Sequence, residues 1–286
     1  MGRPSKSNWA KYRSKMTDLA LQLTSEGGHA VPTDLGRIAA KRAVRVIEFR
    51  PLLVDGGLSV MPDGFRIFVR CDSDKAEKFT KLFWEDGTGK SLPAPIAKRV
   101  RYTIAHEIAH TLLFDIKKQP PRPTVETKKG QNLRGLEHAC NDVAGAILLP
   151  ETAIRREFLD LNELLDPDKL RAFAERALVS LPTLVIRLAH LSTITLPVGV
   201  VASIRRAEDC WILTAITRNY ALRDLFSKAV VGNPVETLTA ELTESLFSGT
   251  NSRGILKVAD LSFECSIGTT TAWRSGKSCL ITLRRL

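Results

Sequence analysis

Residues 101–115 read RYTIAHEIAHTLLFD, an apolar helical run interrupted by His106, Glu107 and His110. No other stretch constrains the chain so tightly. Residues four apart on a helix share a face, with Cβ atoms about 5–6 Å apart. His106 and His110 can therefore aim ring nitrogens at one point, at the roughly 2.0–2.1 Å distance that zinc requires. Glu107 is turned about 100° around the helix axis from His106, so it can reach a water on the metal without ligating the metal. An H-E-x-x-H helix thus supplies two ligands and a general base. The blander alternative is two hydrogen-bonded core histidines. It would bury two imidazoles and a carboxylate among Ile104, Ile108, Leu112 and Leu113, which is costly unless something pairs them. A cation does so.

Catalytic zinc takes three protein ligands and keeps one open position. The continuation H-E-x-x-H-x-x-G-x-x-H fails, because Leu113 stands at the glycine position and Ile116 at the third histidine. The third ligand must come from elsewhere. In NLRGLEHACNDVAGAILLP, residues Leu133, Leu136, Cys140, Val143 and Ile147 recur at helical spacing and mark a buried stripe. Glu137 lies beside that stripe and needs a cationic partner. His138 is the rival ligand, turned about 100° toward the less apolar side. Two His and a Glu hold zinc or manganese.

These residues carry a resemblance. RYTIAHEIAH followed by EHACNDVAGAILLP is similar to the ImmA/IrrE metallopeptidases, whose paired helices read R-[FY]-T-[IL]-A-H-E-[IL]-x-H and E-x-x-[AC]-N-x-x-[AG]-x-x-L-L-x-P. The resemblance implies His106, His110 and Glu137 as zinc ligands (a gluzincin-like set) and Glu107 as catalytic base, with Asn141 at the family's asparagine. Cys140, where many members have alanine, resembles the IrrE (PprI) branch of radiation-response regulators. That branch implies an α+β chain in three parts. They are a zincin-like domain with a small antiparallel sheet over residues 1–150, a helix-turn-helix-like domain over 151–194 and a GAF-like α+β domain over 195–286. It also implies a protein substrate, a helix-turn-helix repressor whose cleavage releases stress-response or mobile-element genes.

The rest of the chain fits that outline. Its 286 residues suit two or three modules. Helices are expected near 8–24, 34–42, 95–114 and 132–148, and strands near 44–49, 57–61 and 65–70, with hairpin signals at Asp-Gly-Gly and Pro-Asp-Gly. DIKKQPPRPTVETKKGQN reads as an exposed loop. Residues 151–193 read as helical with interruptions. Strands follow in TLPVGVVASIRR, CWILTAITR, GILKVADLSFEC and SCLITLRRL, with helices near 220–230 and 236–246. Five scattered cysteines without a CxxC argue for reduced thiols and a cytoplasmic location. No apolar run approaches a membrane span, and the basic N-terminus lacks the apolar segment of a secretory signal.

Three further features bear on function. A formal net charge of +11 favours acidic partners, nucleic acid among them. FAERALVSLPTLVIRLAHL (173–191) reads as a helix-turn-helix, yet its second helix offers only Thr183, Arg187 and His190 among apolar residues. Packing or repressor docking is therefore expected ahead of base reading. Cys140 can be a redox switch, an inhibitory fourth ligand or a small core residue, and buried free cysteines usually behave as the last. The strand FRIFVR (65–70) is a candidate sheet edge for adding an extended peptide. The expected activity is zinc-dependent endopeptidase. The competing expectation is a DNA- or repressor-binding regulator whose metal site is structural or sensory.

Overall fold

The computed structural model describes residues 6–25, 31–124, 134–158, 167–189 and 191, and the strands within 198–285. The chain divides into two units, residues 1–154 with 175–180, and residues 155–174 with 181–286.

The first unit opens with α1 (Lys6–Ser25) and the short α2 (Leu35–Lys41). Asp34 caps α2 by accepting the Arg37 backbone N–H at 2.9 Å. Strands β1 (Val44–Arg50), β2 (Gly56–Met61) and β3 (Gly64–Arg70) then form a sheet of order β1-β3-β2. All three fall within a residue or two of the expected positions.

Two expectations about this sheet are corrected. It is mixed rather than antiparallel, since β3 pairs antiparallel with β2 but parallel with β1. The β1–β2 connection carries β2 one strand position away from β1. The Met61–Gly64 turn then folds β3 into the gap, running the same way as β1. For the same reason FRIFVR is the central strand and not an edge. The edges are β1 and β2. Helix α3 (Ala76–Asp86) covers β1, where the Phe49 N–H donates to Thr80 Oγ1 and Trp84 Nε1 donates to the Ile47 carbonyl, both at 3.2 Å. Among the described residues no strand pairs with the outer edge of β2.

Residues 71–84, for which no element is expected, contain most of α3. Its Phe79 and Phe83 are four apart and buried, and Phe49 of β1 meets Phe79 edge-on with centroids 6.1 Å apart. Short amphipathic helices flanked by charged residues give a weak sequence signal.

Helix α4 (Ala94–Thr111) carries the H-E-x-x-H motif and lies between the sheet and α5 (Arg134–Leu148), which also contacts α1. Pro93 caps α4, so Pro95 occupies the second helical position rather than the first. At the other end the half-buried Arg42 guanidinium donates to the Thr111 carbonyl at 2.7 Å and the Phe114 carbonyl at 3.3 Å. It satisfies the Thr111 carbonyl, which the helix terminus leaves open. Midway, Arg101 is fully buried on the face away from the motif and donates through Nη1 to the carbonyls of Thr33 (3.0 Å) and Thr88. Burial holds its pKa down at about 10, against the carboxylates of Asp86 and Asp34, which raise it. Arg101 thereby ties two loops to the motif helix. The motif helix ends at Thr111, short of the expected 114, and Phe114–Asp115 (β4) pairs briefly with Arg122–Pro123 (β5) of the expected loop.

In the second unit are α7 (Pro167–Arg176, whose last two residues belong to the first unit) and α8 (Leu181–Ala189), preceded by α6 (Glu151–Glu157). The C-terminal strands β6 (Val198–Ala207), β7 (Cys210–Ile216), β8 (Thr237–Leu238), β9 (Ser252–Val258), β10 (Leu261–Trp273) and β11 (Gly276–Arg285) form a sheet of order β7-β6-β11-β10-β9-β8, with every adjacent pair antiparallel. The helix expected near 220–230 lies outside the described residues. Of the segment 236–246 only Thr237–Leu238 are described, as strand rather than helix. No helix among the described residues is long and apolar enough to cross a membrane.

Candidate metal centre

Helical spacing places Tyr102, Thr103, His106, Glu107 and His110 along one side of α4. They line an open cleft of about 470 Å³ together with Glu137 and Asn141 from α5 and residues 54–57 from the start of β2. Close packing of α4 on α5 is what brings the two motifs together. Leu136, Cys140, Val143 and Ile147 of α5 are buried, as the stripe predicts, while Leu133 lies outside the described residues.

His106, His110 and Glu137 each offer one ligand atom, and these atoms lie within 4.8 Å of one another. His106 Nε2 is 3.1 Å from His110 Nε2 and 3.2 Å from Glu137 Oε2, and His110 Nε2 is 3.7 Å from the same oxygen. Ligands held tetrahedrally about 2.0–2.1 Å from zinc stand roughly 3.3–3.4 Å apart. The triangle fits such an ion. Two imidazole nitrogens and a carboxylate oxygen, with lone pairs converging on one point, are also the donor chemistry that zinc or manganese takes. His138 is exposed and not part of this group. Glu137 itself is half-exposed on the cleft wall, with 48% of its side chain accessible, so it is less enclosed than its place beside the apolar stripe suggests. Its position in the first turn of α5 also suits a negative charge.

Glu107 is buried beside this group. Burial first, and the neighbouring Glu137 carboxylate second, push its pKa up to about 7. His110 is pushed the other way, down, by burial and then by His106, with Glu137 opposing. Its Nδ1 lies 3.5 Å from the Cys140 sulfur. Cys140 is fully buried, and burial, then Glu137 and Glu107, push the thiol pKa up. It is a packed thiol that touches the back of one imidazole. His106 Nδ1 is buried without a hydrogen-bond partner among the described residues.

Spacing alone leaves several of these neighbours unannounced. Tyr102 donates to Asn141 Oδ1 at 3.0 Å, joining the two helices at the rim. Its place four residues before His106 is the signal that finds it. Gly56 has no such signal. A Cβ there would stand 2.4 Å from Thr103 Cγ2 and 3.1 Å from Glu107 Oε1, so the absence of a side chain lets the β2 edge lie against the motif helix.

An α+β domain with a His/His/Glu donor group in an open cleft is the class of structure defined so far. Residues 97–189, from α4 through α8, match the Peptidase_M78 family, described as the IrrE N-terminal-like domain. That match supports assigning the chain to the ImmA/IrrE family. No curated protein matches the chain. Among similar solved structures is a Mycobacterium tuberculosis transcriptional regulator, 16% identical, with 94% of this chain and 75% of that chain covered at a TM-score of 0.50. At that identity the likeness concerns the fold.

Proposed function

We propose that this protein is a metal-dependent endopeptidase, with zinc the expected ion and manganese the alternative, acting on a helix-turn-helix repressor in the cytoplasm. The observation that carries the reading is the convergence of His106, His110 and Glu137 beside the buried carboxylate of Glu107, in a cleft bordered by β2, whose outer edge no strand among the described residues pairs with. His106, His110 and Glu137 would hold the ion, whose chemistry is to polarise a carbonyl and acidify a water. Glu107 would take the proton of the attacking water at its carboxylate and pass it to the leaving amine. A carboxylate beside the donor group can serve both steps. The outer edge of β2 would take the substrate as an added strand, the role that FRIFVR cannot fill from the middle of the sheet. The released repressor fragment would free stress-response or mobile-element genes. The layout of three parts, with boundaries near 150 and 194 and a GAF-like C-terminal sensor, belongs to the same proposal, as does the IrrE branch.

The test is Glu107→Gln, incubated beside the parent with any helix-turn-helix repressor encoded near the gene. The variant should retain its metal by elemental analysis and lose cleavage by at least about a hundredfold. Parent-like cleavage by this variant would refute the mechanism.

A second reading has its own support. One similar solved structure is a transcriptional regulator, the chain is strongly basic, and α7 and α8 have helix-turn-helix order. Under this reading the protein binds DNA or a repressor and the metal site is structural or sensory. Gel shifts at controlled salt distinguish the two, since sequence-specific retention that survives Glu107→Gln supports the regulator.

A further inference from the structure

The stripe of α4 that carries the motif continues toward its N-terminus through Thr103, Val100, Arg99 and Ile96, at spacings of three and four. There it borders a second cavity, of about 300 Å³, which shares Asp55 and Thr103 with the metal cleft. The two are neighbouring stations along one groove between α4 and the sheet.

The second cavity has an apolar wall and a charged mouth. Phe79, Ile96 and Val100 form the wall, while Arg70, Arg99 and Lys75 stand around it. Lys75 is matched locally by Asp72, 2.9 Å away and three residues back. Arg70 and Arg99 meet at Asp55, and Arg70 also acts on the Asp72 carboxylate. Asp55 pairs closely with Arg99 and lies 3.9 Å from Arg70 Nη1. In the lining Arg70, Arg99 and Lys75 face the two carboxylates of Asp55 and Asp72, a surplus of one positive charge, with Asp74 acting on Lys75 from outside it. The rim is fixed from behind, because the Arg70 N–H donates to the Asp55 carbonyl at 2.9 Å.

Distance sets where a substrate would meet this charge. Arg99 precedes His106 by seven residues, a rise of about 10 Å along the helix. An extended peptide laid on the β2 edge advances about 3.3 Å per residue. The cavity thus lies about three residues from the bond above the donor group. Within it a Glu side chain would cover the apolar wall with its methylenes and present its carboxylate to the guanidinium forks. A Lys would face two like charges, and a Gln would leave the excess charge unmatched.

Building on the proteolytic reading, we propose that this cavity is a specificity subsite for an acidic side chain about three residues from the scissile bond, selected by Arg99 and Arg70.

Binding can be separated from hydrolysis. Full-length Glu107→Gln protein loaded with zinc is titrated, by fluorescence anisotropy, against short fluorescein-labelled Ala/Leu peptides in which one Glu, Gln or Lys is stepped through each position. At one position Glu should bind about fivefold tighter than Gln, with Lys weakest, and the difference should shrink at high salt. Adding Arg99→Glu should reverse the order in favour of Lys, with metal content and melting temperature retained, and Arg70→Glu should weaken the Glu preference. Equal affinity for the three peptides, whether tight or weak, overturns the subsite, as does a preference that Arg99→Glu and Arg70→Glu leave intact. The parent chain, incubated with the same peptides and read by mass spectrometry, reports on the reading beneath. An Arg99-dependent Glu preference with no product from the parent supports the subsite and refutes proteolysis of peptides, whereas cleavage without the preference does the reverse.

Discussion

Helices α4 and α8 are written in the same idiom, a few polar residues set into an apolar run, yet they use those residues in opposite ways. On α4 the polar set shares one face, and α5 answers it with Glu137, so three donors meet at the edge of an open cleft. On α8 Arg187 is only 6% exposed, while Ile186 is 48% exposed. A side chain buried in this way is not offered to a base edge. His190, the third candidate there, lies outside the described residues. The difference teaches that a polar residue in an apolar helix becomes a candidate site only when a second element supplies the complementary group and solvent keeps access to both.

The comparison can be broken most sharply at Glu137. Glu137→Gln should weaken zinc binding at least about a hundredfold, while His138→Ala leaves it unchanged, as read by competition with a chromogenic chelator. Equal effects of the two changes would return His138 to contention and undo the contrast between the helices. Arg187→Met should act on the fold instead. It should cost about 1–3 kcal/mol in denaturant unfolding, because groups that bond the guanidinium lose their partner, with no change in metal stoichiometry. A stable Arg187→Met protein that lost affinity for DNA would instead mark α8 as a reading helix. The smallest change tests the cleft wall. Gly56→Ala should destabilise by about 1 kcal/mol, since its Cβ must displace Thr103, and should lower peptide cleavage through the shifted strand. Unaltered stability and turnover would show that the close approach of β2 to α4 is unimportant.

Much of the first unit is legible along the chain because its signals are local. The 3.6-residue period marks α4 and α5, prolines stand at the start of α4, and Pro-Asp-Gly announces the β2–β3 turn. Other features depend on partners distant in sequence. The parallel pairing of β1 with β3 follows from how far the β1–β2 connection carries the chain, which no residue in that connection declares. The covering of β1 by α3 depends on Thr80 and Trp84 meeting backbone groups of Phe49 and Ile47. That covering leaves β2 as the accessible edge. Gly56 looks in the sequence like half of an ordinary Gly-Gly turn, and only the neighbouring Thr103 and Glu107 give it a steric reason.

The sequence by itself determined the donor types and their spacing on each helix, since side-chain direction on an α-helix is fixed by a period of about 3.6 residues. Tertiary structure decided that Glu137 rather than His138 faces the imidazoles, that β2 rather than β3 borders the cleft, and that two arginines share one aspartate beside it. Those outcomes depend on the rotation and approach of packed elements, and a rotation of about 100° about the axis of α5 would exchange one candidate ligand for the other.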